Sequence, residues 1–336
     1  MTPTSQLCQS DLFKKRSELL SCNVRVVLSY ERAKAIGLAL GITLNDTLNL
    51  MQKIWDIHTD PIIVRDEAAT MLVTIQYNLV AGTLAKYAVT TRPDLVSLVE
   101  DILWWDVIGQ FCLTELGRGL DIFRMKTSAT LLPTGEFDLH TPSPSDAKFM
   151  PPTIPVKGLP CVAVVFAQLL LPPRGGSSPV NHALTSFNHV HLPPSALLGD
   201  VTKSDTMHHD FMSSIWHVAV GSLVLGSVAI PYLQVALFIT VHYFQRRHVT
   251  SLQGNPLPII SYRTQQLPLL HAIAQAFVLR ALHKWAVEQF MDKNLDVRVR
   301  HGVETLSLRA LPTAIPIQGA AFPALHNVYA RARSRA

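Results

Sequence analysis

The spacing of apolar positions predicts helices over the first 110 residues. Apolar side chains recur at intervals of three and four over residues 30–41, 43–57, 66–87 and 94–111. Gly41 follows the first of these segments, and Pro61 and Pro93 lie between later ones, where glycine ends a helix and proline begins or interrupts one. We therefore expect an N-terminal α-helical domain over residues 1–110.

The pattern changes near residue 127. Short β-rich runs follow at residues 129–132, 137–140, 161–171 and 182–192, separated by proline- and glycine-rich turns. Helical periodicity returns near residue 210 and continues to about residue 290. This order predicts an α+β fold with a middle β-domain over 111–205, a C-terminal helical bundle over 206–302 and an irregular basic tail over 303–336.

One stretch of the third segment is unusually apolar. Residues 211–245 contain no Asp, Glu, Lys or Arg, and a bilayer needs about 20 apolar residues per crossing. The whole chain is 48% hydrophobic and 16% charged, which excludes disorder as its dominant state. Two interpretations of the stretch remain open at this point: a membrane span, or a helix buried in a large core.

Charge and cysteine content exclude several classes of function. The net charge is +5, but the basic residues are not interleaved with aromatic ones, so we expect no nucleic-acid binding. The four cysteines form no C-x-x-C pair, which argues against a zinc site or a disulfide framework. The first twenty residues lack an apolar secretory core and the chain ends in RSRA rather than an S-K-L signal, so we expect an intracellular location, cytoplasmic rather than peroxisomal.

The most informative motif lies where the helices give way to the β-domain. Residues 111–121 read FCLTELGRGLD, in which Thr114 offers a hydroxyl and Gly117 and Gly119 let backbone N–H groups approach a ligand closely. Without further context, such a segment is typical of a turn that ends a helix. It resembles the L-T-E-x-G-x-G-x-D/N signature of the acyl-CoA dehydrogenase and acyl-CoA oxidase superfamily. Four further stretches are similar to that family in the same order, namely residues 140–153, 181–199, 244–249 and 258–279, and the blocks are most similar to the fungal acyl-CoA oxidase-like type.

The resemblance implies FAD as cofactor and assigns residues to it. Leu113, Thr114 and Glu115 would face the pyrimidine side of the flavin, with Gly119 beside them. Gly119, Leu120 and Asp121 would border the acyl-thioester channel. Arg246 would meet the FAD diphosphate across a subunit interface, which implies a homo-oligomer, and Gln265 and Gln266 would contact the ribose or adenine. The family often has glutamine where this chain has Arg263.

The implied reaction is the introduction of an α,β double bond into an acyl-CoA or related acyl thioester, in which a carboxylate removes the α-proton and the flavin accepts the β-hydride. The catalytic base is not identified, because residues 211–245 hold no carboxylate and Glu288 and Asp292 are typical of a solvated helix face. The β-domain is shorter than in the family, and no family pattern is recognisable after Gly302, so we expect an abbreviated β-domain and an incomplete bundle. Two alternatives to an enzyme of fungal secondary metabolism are an inactive FAD- or acyl-CoA-binding scaffold and a membrane protein built around residues 211–245.

Two other features receive no catalytic role. His189 and His191 alternate along one predicted strand, but two histidines without a third ligand predict no metal site. Cys112 lies inside the signature without an adjacent base, so we do not expect it to act as a nucleophile. For residues 211–245, the family blocks on either side favour a helix of the bundle core over a membrane span.

Overall fold

A computed structural model describes residues 3–118, 124–150, 158–170, 185–199, 211, 213–250, 255–296, 299–300 and 302–303. The chain divides into two compact units, which we describe separately. The first consists of Pro3–Ile54 and Ala68–His217, and the second of Trp55–Glu67 and the residues from Val218 onwards. The division of the chain at residues 110, 205 and 302 stays a prediction.

The order of elements confirms the expected α+β class. The helices are α1 (Asp11–Lys14), α2 (Cys22–Leu40), α3 (Leu44–Leu48), α4 (Gln52–Asp56), α5 (Glu67–Ala88), α6 (Val96–Leu103), α7 (Trp216–Arg246) and α8 (Arg263–Met291). The strands are β1 (Ile108–Cys112), β2 (Ser128–Leu131), β3 (Phe137–His140), β4 (Cys161–Val165), β5 (Gln168–Leu170), β6 (Val190–Leu192), β7 (His248–Thr250) and β8 (Pro256–Pro258). Short 3-10 turns occur at Leu7–Gln9, Ser17–Leu19, Ile57–Thr59, Pro61–Val64, Pro93–Leu95, Pro144–Asp146, Pro194–Ala196 and Ile259–Ser261.

Two of the predicted helices are wrong in part. The helix expected over 43–57 is interrupted between α3 and α4, where Leu50 adopts a left-handed conformation with φ 48°. The helix expected over 94–111 ends with α6, Trp105 has φ 61°, and β1 follows. Periodicity alone does not distinguish a short, mostly buried strand such as β1 (IGQFC) from a buried helix segment.

Helix α5 confirms the segment predicted over 66–87 and adds a feature that the pattern did not show. Its middle, Ile75–Ala81, forms wide i→i+5 turns whose seven residues are all buried. From this stretch Gln76 Nε2 donates hydrogen bonds to the carbonyls of Ile102 (2.8 Å) and Val107 (2.7 Å). Gln76 Oε1 accepts from the backbone N–H of Gly109 at 2.8 Å, so this one side chain fixes the approach to β1.

Two sheets complete the first unit. Strands β1 and β4 pair in parallel, with Ile108 opposite Cys161 and Cys112 opposite Val165. The second sheet has the order β5-β2-β3-β6, in which β2 pairs in parallel with β5 and antiparallel with β3. Strand β1 is buried at four of its five residues, and the segment that follows it contains the L-T-E-x-G motif.

The second unit contains most of α7, the β7–β8 hairpin and α8. Its core includes Trp55 and Phe290, whose rings meet edge to face at 6.2 Å. Two helices of the described chain are long and apolar enough to cross a membrane, Glu67–Ala88 and Trp216–Arg246, with 72% and 33% of their most apolar windows buried. The burial of α5 identifies it as a core helix of the first unit.

Candidate functional site

The L-T-E-x-G segment lies beside residues 145–149 and pairs with them. Arg118 N–H donates to the carbonyl of Glu115 at 3.1 Å and closes a turn. The pairing consists of backbone bonds from Phe149 to Thr114 (2.9 Å), from Leu116 to Ala147 (3.0 Å) and from Gly117 to Ser145 (2.7 Å). Residues 114–118 are therefore held along their length by a neighbouring segment that is 30 residues away in the sequence.

A buried ion pair between Glu115 and Lys148 holds this segment in place. The side chains of Glu115 and Lys148 are both 0% exposed, with Lys148 Nζ 3.2 Å from Glu115 Oε1. Lys148 Nζ also donates to the carbonyl of Leu113 at 3.1 Å. The Glu115 carboxylate accepts from the backbone N–H groups of Lys126 and Thr127, each at 2.7 Å. The pair thus ties together residues 113–115, 126–127 and 148.

Desolvation and attraction oppose each other at Lys148. Burial lowers the pKa of its ammonium group, because a charge taken out of water loses hydration, while the nearby Glu115 carboxylate raises it. The net direction is downward. The Glu115 side chain is committed to the protein interior, so a contribution from this residue to a cofactor would come from its backbone.

Backbone donors in this segment fit the edge of a flavin. The N–H groups of Thr114 and Glu115 have no hydrogen-bond acceptor among the described residues, although Glu115 is only 2% exposed. Buried N–H groups without a partner are rare in proteins, and a ligand that carries acceptor atoms would satisfy them. The Thr114 hydroxyl donates to the carbonyl of Phe149 at 2.6 Å, which leaves its oxygen able to accept. The residues present therefore fit the cofactor that the resemblance implies.

Gly117 has a different role from the one expected. Its N–H group donates to the carbonyl of Ser145, and a Cβ at this position would lie 2.9 Å from Ser145 Cβ. The glycine is required for close packing of two segments of the chain, and its N–H is not available to a ligand. Gly119, Leu120 and Asp121 lie outside the described residues.

The remaining predicted cofactor residues lie in the second unit, around the β7–β8 hairpin. Arg246 is exposed at the end of α7, and its carbonyl accepts a hydrogen bond of 3.0 Å from the ring of His248. Gln265 and Gln266 begin α8, where Gln266 Nε2 donates to the carbonyl of Ile260 at 2.9 Å. The N–H of Ile259 donates to the carbonyl of Arg247 at 2.8 Å, so the end of α7 and the approach to α8 lie side by side.

Arg118 extends from the turn with its hydrogen-bonding capacity largely unused. Its side chain is 30% exposed, and Nη2 lies 3.7 Å from Asp146 Oδ1, beyond hydrogen-bond distance. Its Nε is buried without an acceptor among the described residues. Neither Arg118 nor Lys148 was expected from the sequence to take part in the site. The available signals were the position of Arg118 inside the G-x-G motif and that of Lys148 inside the block at residues 140–153.

The carboxylates of α8 stay solvated. Glu288 is 59% exposed and lies 3.9 Å from Lys284 on the same helix. Asp292 follows α8 and accepts from the backbone and side-chain N–H groups of Asn294, at 2.9 and 3.0 Å. Neither geometry identifies a catalytic base.

The cysteine and histidine side chains behave as structural groups. Burial raises the pKa of Cys112 to about 11, so its thiol stays protonated at neutral pH. His189 Nδ1 lies 2.9 Å from Asp138 Oδ2, and its ring stacks on His140 at 4.0 Å. Within the described ranges, no three His, Cys, Asp or Glu side chains are grouped so that they could hold a metal ion.

Sequence comparison finds distant relatives of one kind, although no family model matches the chain. The human protein named peroxisomal acyl-coenzyme A oxidase 3 is 26% identical over 228 residues, which cover 55% of this chain and 32% of that protein. The Arabidopsis thaliana protein named acyl-coenzyme A oxidase 2, peroxisomal, is 24% identical over 284 residues, covering 69% of this chain and 40% of that protein. The chain thus spans about a third to two fifths of the length of these curated relatives.

Solved structures share the fold at low sequence identity. Acyl-CoA oxidase 1 from Yarrowia lipolytica superposes with a TM-score of 0.62 and 16% identity, covering 85% of this chain and 46% of the other. A glutaryl-CoA dehydrogenase from Mycobacterium smegmatis, solved in complex with FADH2, gives a TM-score of 0.61 and 18% identity, covering 94% of this chain and 78% of the other. The fold is therefore that of acyl-CoA oxidases and acyl-CoA dehydrogenases.

Proposed function

We propose that the chain belongs to the acyl-CoA dehydrogenase and acyl-CoA oxidase superfamily and that it is an FAD-dependent oxidoreductase, which introduces an α,β double bond into an acyl-CoA or related acyl thioester. The observation that carries the proposal is the pair of backbone N–H groups at Thr114 and Glu115 that have no acceptor among the described residues, held in place by the buried Glu115–Lys148 pair. The names of the relatives and the FADH2 in the glutaryl-CoA dehydrogenase structure support the choice of substrate class and cofactor.

Each part of the site has a separate task in this proposal. Bound FAD would supply the acceptor for the hydride that leaves the β-carbon. The N–H groups of Thr114 and Glu115 would donate to acceptor atoms on the edge of the ring system, and Lys148 would keep the donors in place by holding the Leu113 carbonyl and the Glu115 carboxylate. Preorganised donors of this kind lower the free energy of a charge that develops during the reaction.

The second unit would contribute to the nucleotide half of FAD. We assign Arg246 to the diphosphate, because an exposed guanidinium at a helix end offers paired donors to phosphate. Gln265 and Gln266 would contact the ribose or adenine, Gln266 through the amide atoms that its bond to Ile260 leaves free. In this arrangement Arg246 would serve the FAD of a second subunit in a homo-oligomer. Gly119, Leu120 and Asp121 would border the acyl chain.

The proposed function extends to the type of acyl thioester and to the cellular compartment. We place the enzyme among fungal acyl-CoA oxidase-like proteins that act on specialised acyl thioesters in secondary metabolism. We propose an intracellular location with the cytoplasm favoured, whereas the human and Arabidopsis relatives are named as peroxisomal proteins. Imaging of the tagged full chain against a peroxisomal marker decides between the two compartments, because co-localisation with the marker would contradict the cytoplasmic assignment.

A second candidate function follows because no catalytic base is identified among the described residues. Residues 211–245 contain no carboxylate, and Glu288 and Asp292 are engaged with neighbours at the surface of the second unit. A chain without the base would bind FAD and acyl-CoA as an inactive member of the family. General-base catalysis typically contributes about 10²–10⁴-fold, so such a chain would turn over very slowly.

The colour of the purified protein separates these functions. The chain is expressed, incubated with FAD and freed of unbound cofactor, and its absorbance spectrum is recorded before and after anaerobic addition of an acyl-CoA. Flavin bands that bleach with acyl-CoA support the oxidoreductase, whereas bands that persist with every acyl-CoA support the inactive binding protein. A folded but colourless chain overturns both.

Extraction of membranes with carbonate tests the remaining alternative. Helix α7 is apolar, and only 33% of its most apolar window is buried. Release of the chain into the soluble fraction supports a helix of the family bundle. Retention in the membrane pellet together with a spanning marker protein would contradict it.

A further inference from the structure

We propose that Arg118 is a phosphate-binding residue of the site, acting on a phosphate group of the bound FAD or acyl-CoA. The inference rests on the proposed function, because both of its ligands carry phosphates. It gives a role to the guanidinium group of Arg118, the residue that closes the turn after Thr114 and Glu115.

The guanidinium group of Arg118 has donors that no described residue uses. Arginine has five N–H donors in a planar fork, and among the described residues Arg118 has a single charged neighbour, Asp146, at 3.7 Å. Its Nε is buried without an acceptor. A buried donor without a partner costs free energy, so its presence here points to an acceptor that binds from outside the chain.

Asp146 accepts hydrogen bonds from other side chains and does not need Arg118 as a donor. The Asp146 side chain is 0% exposed, and its oxygens accept from the hydroxyls of Ser143 (2.7 Å) and Ser145 (3.5 Å). At 3.7 Å the carboxylate attracts and orients the guanidinium without occupying its donors. A phosphate can therefore bind to Arg118 while the ionic contact with Asp146 persists.

The backbone that carries Arg118 is held by hydrogen bonds on both sides of the turn. Its N–H donates to the carbonyl of Glu115, and Gly117 is held by Ser145 at 2.7 Å. Arg118 thus directly follows the segment whose Thr114 and Glu115 N–H groups have no acceptor in the described part of the chain. A planar guanidinium on a fixed turn suits bidentate binding of phosphate oxygens, for which lysine offers only a point charge.

Binding measurements with paired ligands test the assignment and identify the source of the phosphate. We compare Arg118→Gln and Arg118→Lys with the wild-type chain and with Arg25→Gln, which removes the same charge from an exposed position. FAD is compared with riboflavin, which has the ring but no phosphate, and an acyl-CoA with the corresponding acyl-pantetheine.

Loss of a charge-assisted contact predicts FAD or acyl-CoA binding that is weaker by about 10- to 100-fold in Arg118→Gln, with a smaller loss in Arg118→Lys. Riboflavin and acyl-pantetheine should bind all variants equally. A loss for FAD alone identifies its diphosphate, and a loss for acyl-CoA alone identifies the phosphates of CoA. Unchanged binding of both in Arg118→Gln overturns the inference, as does an equal loss for the ligands that lack phosphate.

A chemical readout keeps this inference separate from the proposed function. Phenylglyoxal modifies accessible arginines, and peptide mass spectrometry follows its rate at Arg118 in the wild-type chain with FAD, riboflavin, CoA or pyrophosphate present. Protection by the phosphate-bearing molecules and not by riboflavin supports the inference even if no acyl-CoA is oxidised. Equal modification under all conditions overturns it, including in a preparation that is yellow and active.

Discussion

Replacing Lys148 with methionine removes the positive partner of a buried carboxylate. Lys148 Nζ bonds to Glu115 Oε1 at 3.2 Å and to the carbonyl of Leu113 at 3.1 Å, and neither charged side chain is exposed. Methionine has a similar length and adapts to irregular surroundings, so the cavity it leaves is small. The substitution therefore tests the charge and its two contacts more than the packing.

The expected loss follows from burial and distance. At 3.2 Å and an effective dielectric constant of about 20, two unit charges attract by about 5 kcal/mol. The substitution also removes the free-energy cost of burying the ammonium group, but Glu115 remains as a buried charge with two backbone donors. Breaking a buried pair from one side typically costs about 3–5 kcal/mol, and we expect a loss in this range. Domains are usually stable by about 5–15 kcal/mol, so the variant should be clearly weakened.

Urea unfolding followed by circular dichroism measures this loss, and Lys34→Met is its matched control. Lys34 Nζ donates to a backbone carbonyl, that of Trp105, and to the carboxylate of Asp106, both at 3.2 Å. The two side chains of this pair are 40% and 67% exposed. An exposed pair contributes at most about 1 kcal/mol, so the two substitutions differ in burial and not in the kind of contact.

A double-mutant cycle decides whether the loss belongs to the pair. In Glu115→Gln combined with Lys148→Met, no buried charge is left uncompensated, so the loss should be smaller than the sum of the single losses by about 1–3 kcal/mol. Equal losses for Lys148→Met and Lys34→Met, or simple additivity in the cycle, would refute the reasoning.

Three further results are expected. Burial lowers the pKa of His217 from 6.5 to about 4, so between these pH values the folded chain binds fewer protons than the unfolded chain and loses stability as the pH falls. His217→Gln should remove about 2–3 kcal/mol of that loss. An unchanged pH dependence of urea unfolding in this variant would contradict the expectation. Gly37→Ala should destabilise by about 1–3 kcal/mol, because its methyl group would overlap buried aromatic side chains, whereas Gly199→Ala, which faces open space, should change the melting temperature little. Iodoacetamide should label exposed Cys22 in the native chain and leave buried Cys112 unlabelled until urea is added, as peptide mass spectrometry would show.

Local pattern was sufficient where one segment alone decides its structure. The run of residues 66–87 predicted α5 almost to the residue, and Gly41 ends α2 in a left-handed conformation as a helix-ending glycine does. It was insufficient for β1, since Ile108–Cys112 carries no strand pattern of its own and becomes a strand only by pairing with Cys161–Val165. Such pairing joins residues more than 50 positions apart, which no window along the sequence contains.

The candidate site shows the same limit. The motif at residues 111–121 identified the segment and its resemblance to acyl-CoA dehydrogenases and oxidases by sequence alone, because a signature depends on the residue types and their spacing. The uses of individual side chains were decided by contacts across the fold. Glu115 pairs with Lys148, Gly117 packs against Ser145, and Arg118 remains with donors unused.

The sequence by itself therefore determined the helix over residues 67–88, the end of α2 at Gly41, the low charge and the motif at residues 111–121, each of which depends on neighbours along the chain. The tertiary structure decided which of the motif's groups stay available to a ligand. The physical reason is that a hydrogen-bonding group is available only if no distant partner occupies it. At Thr114 and Glu115 the backbone donors are unoccupied among the described residues, whereas the Glu115 carboxylate is held by Lys148 and by the backbone of residues 126–127.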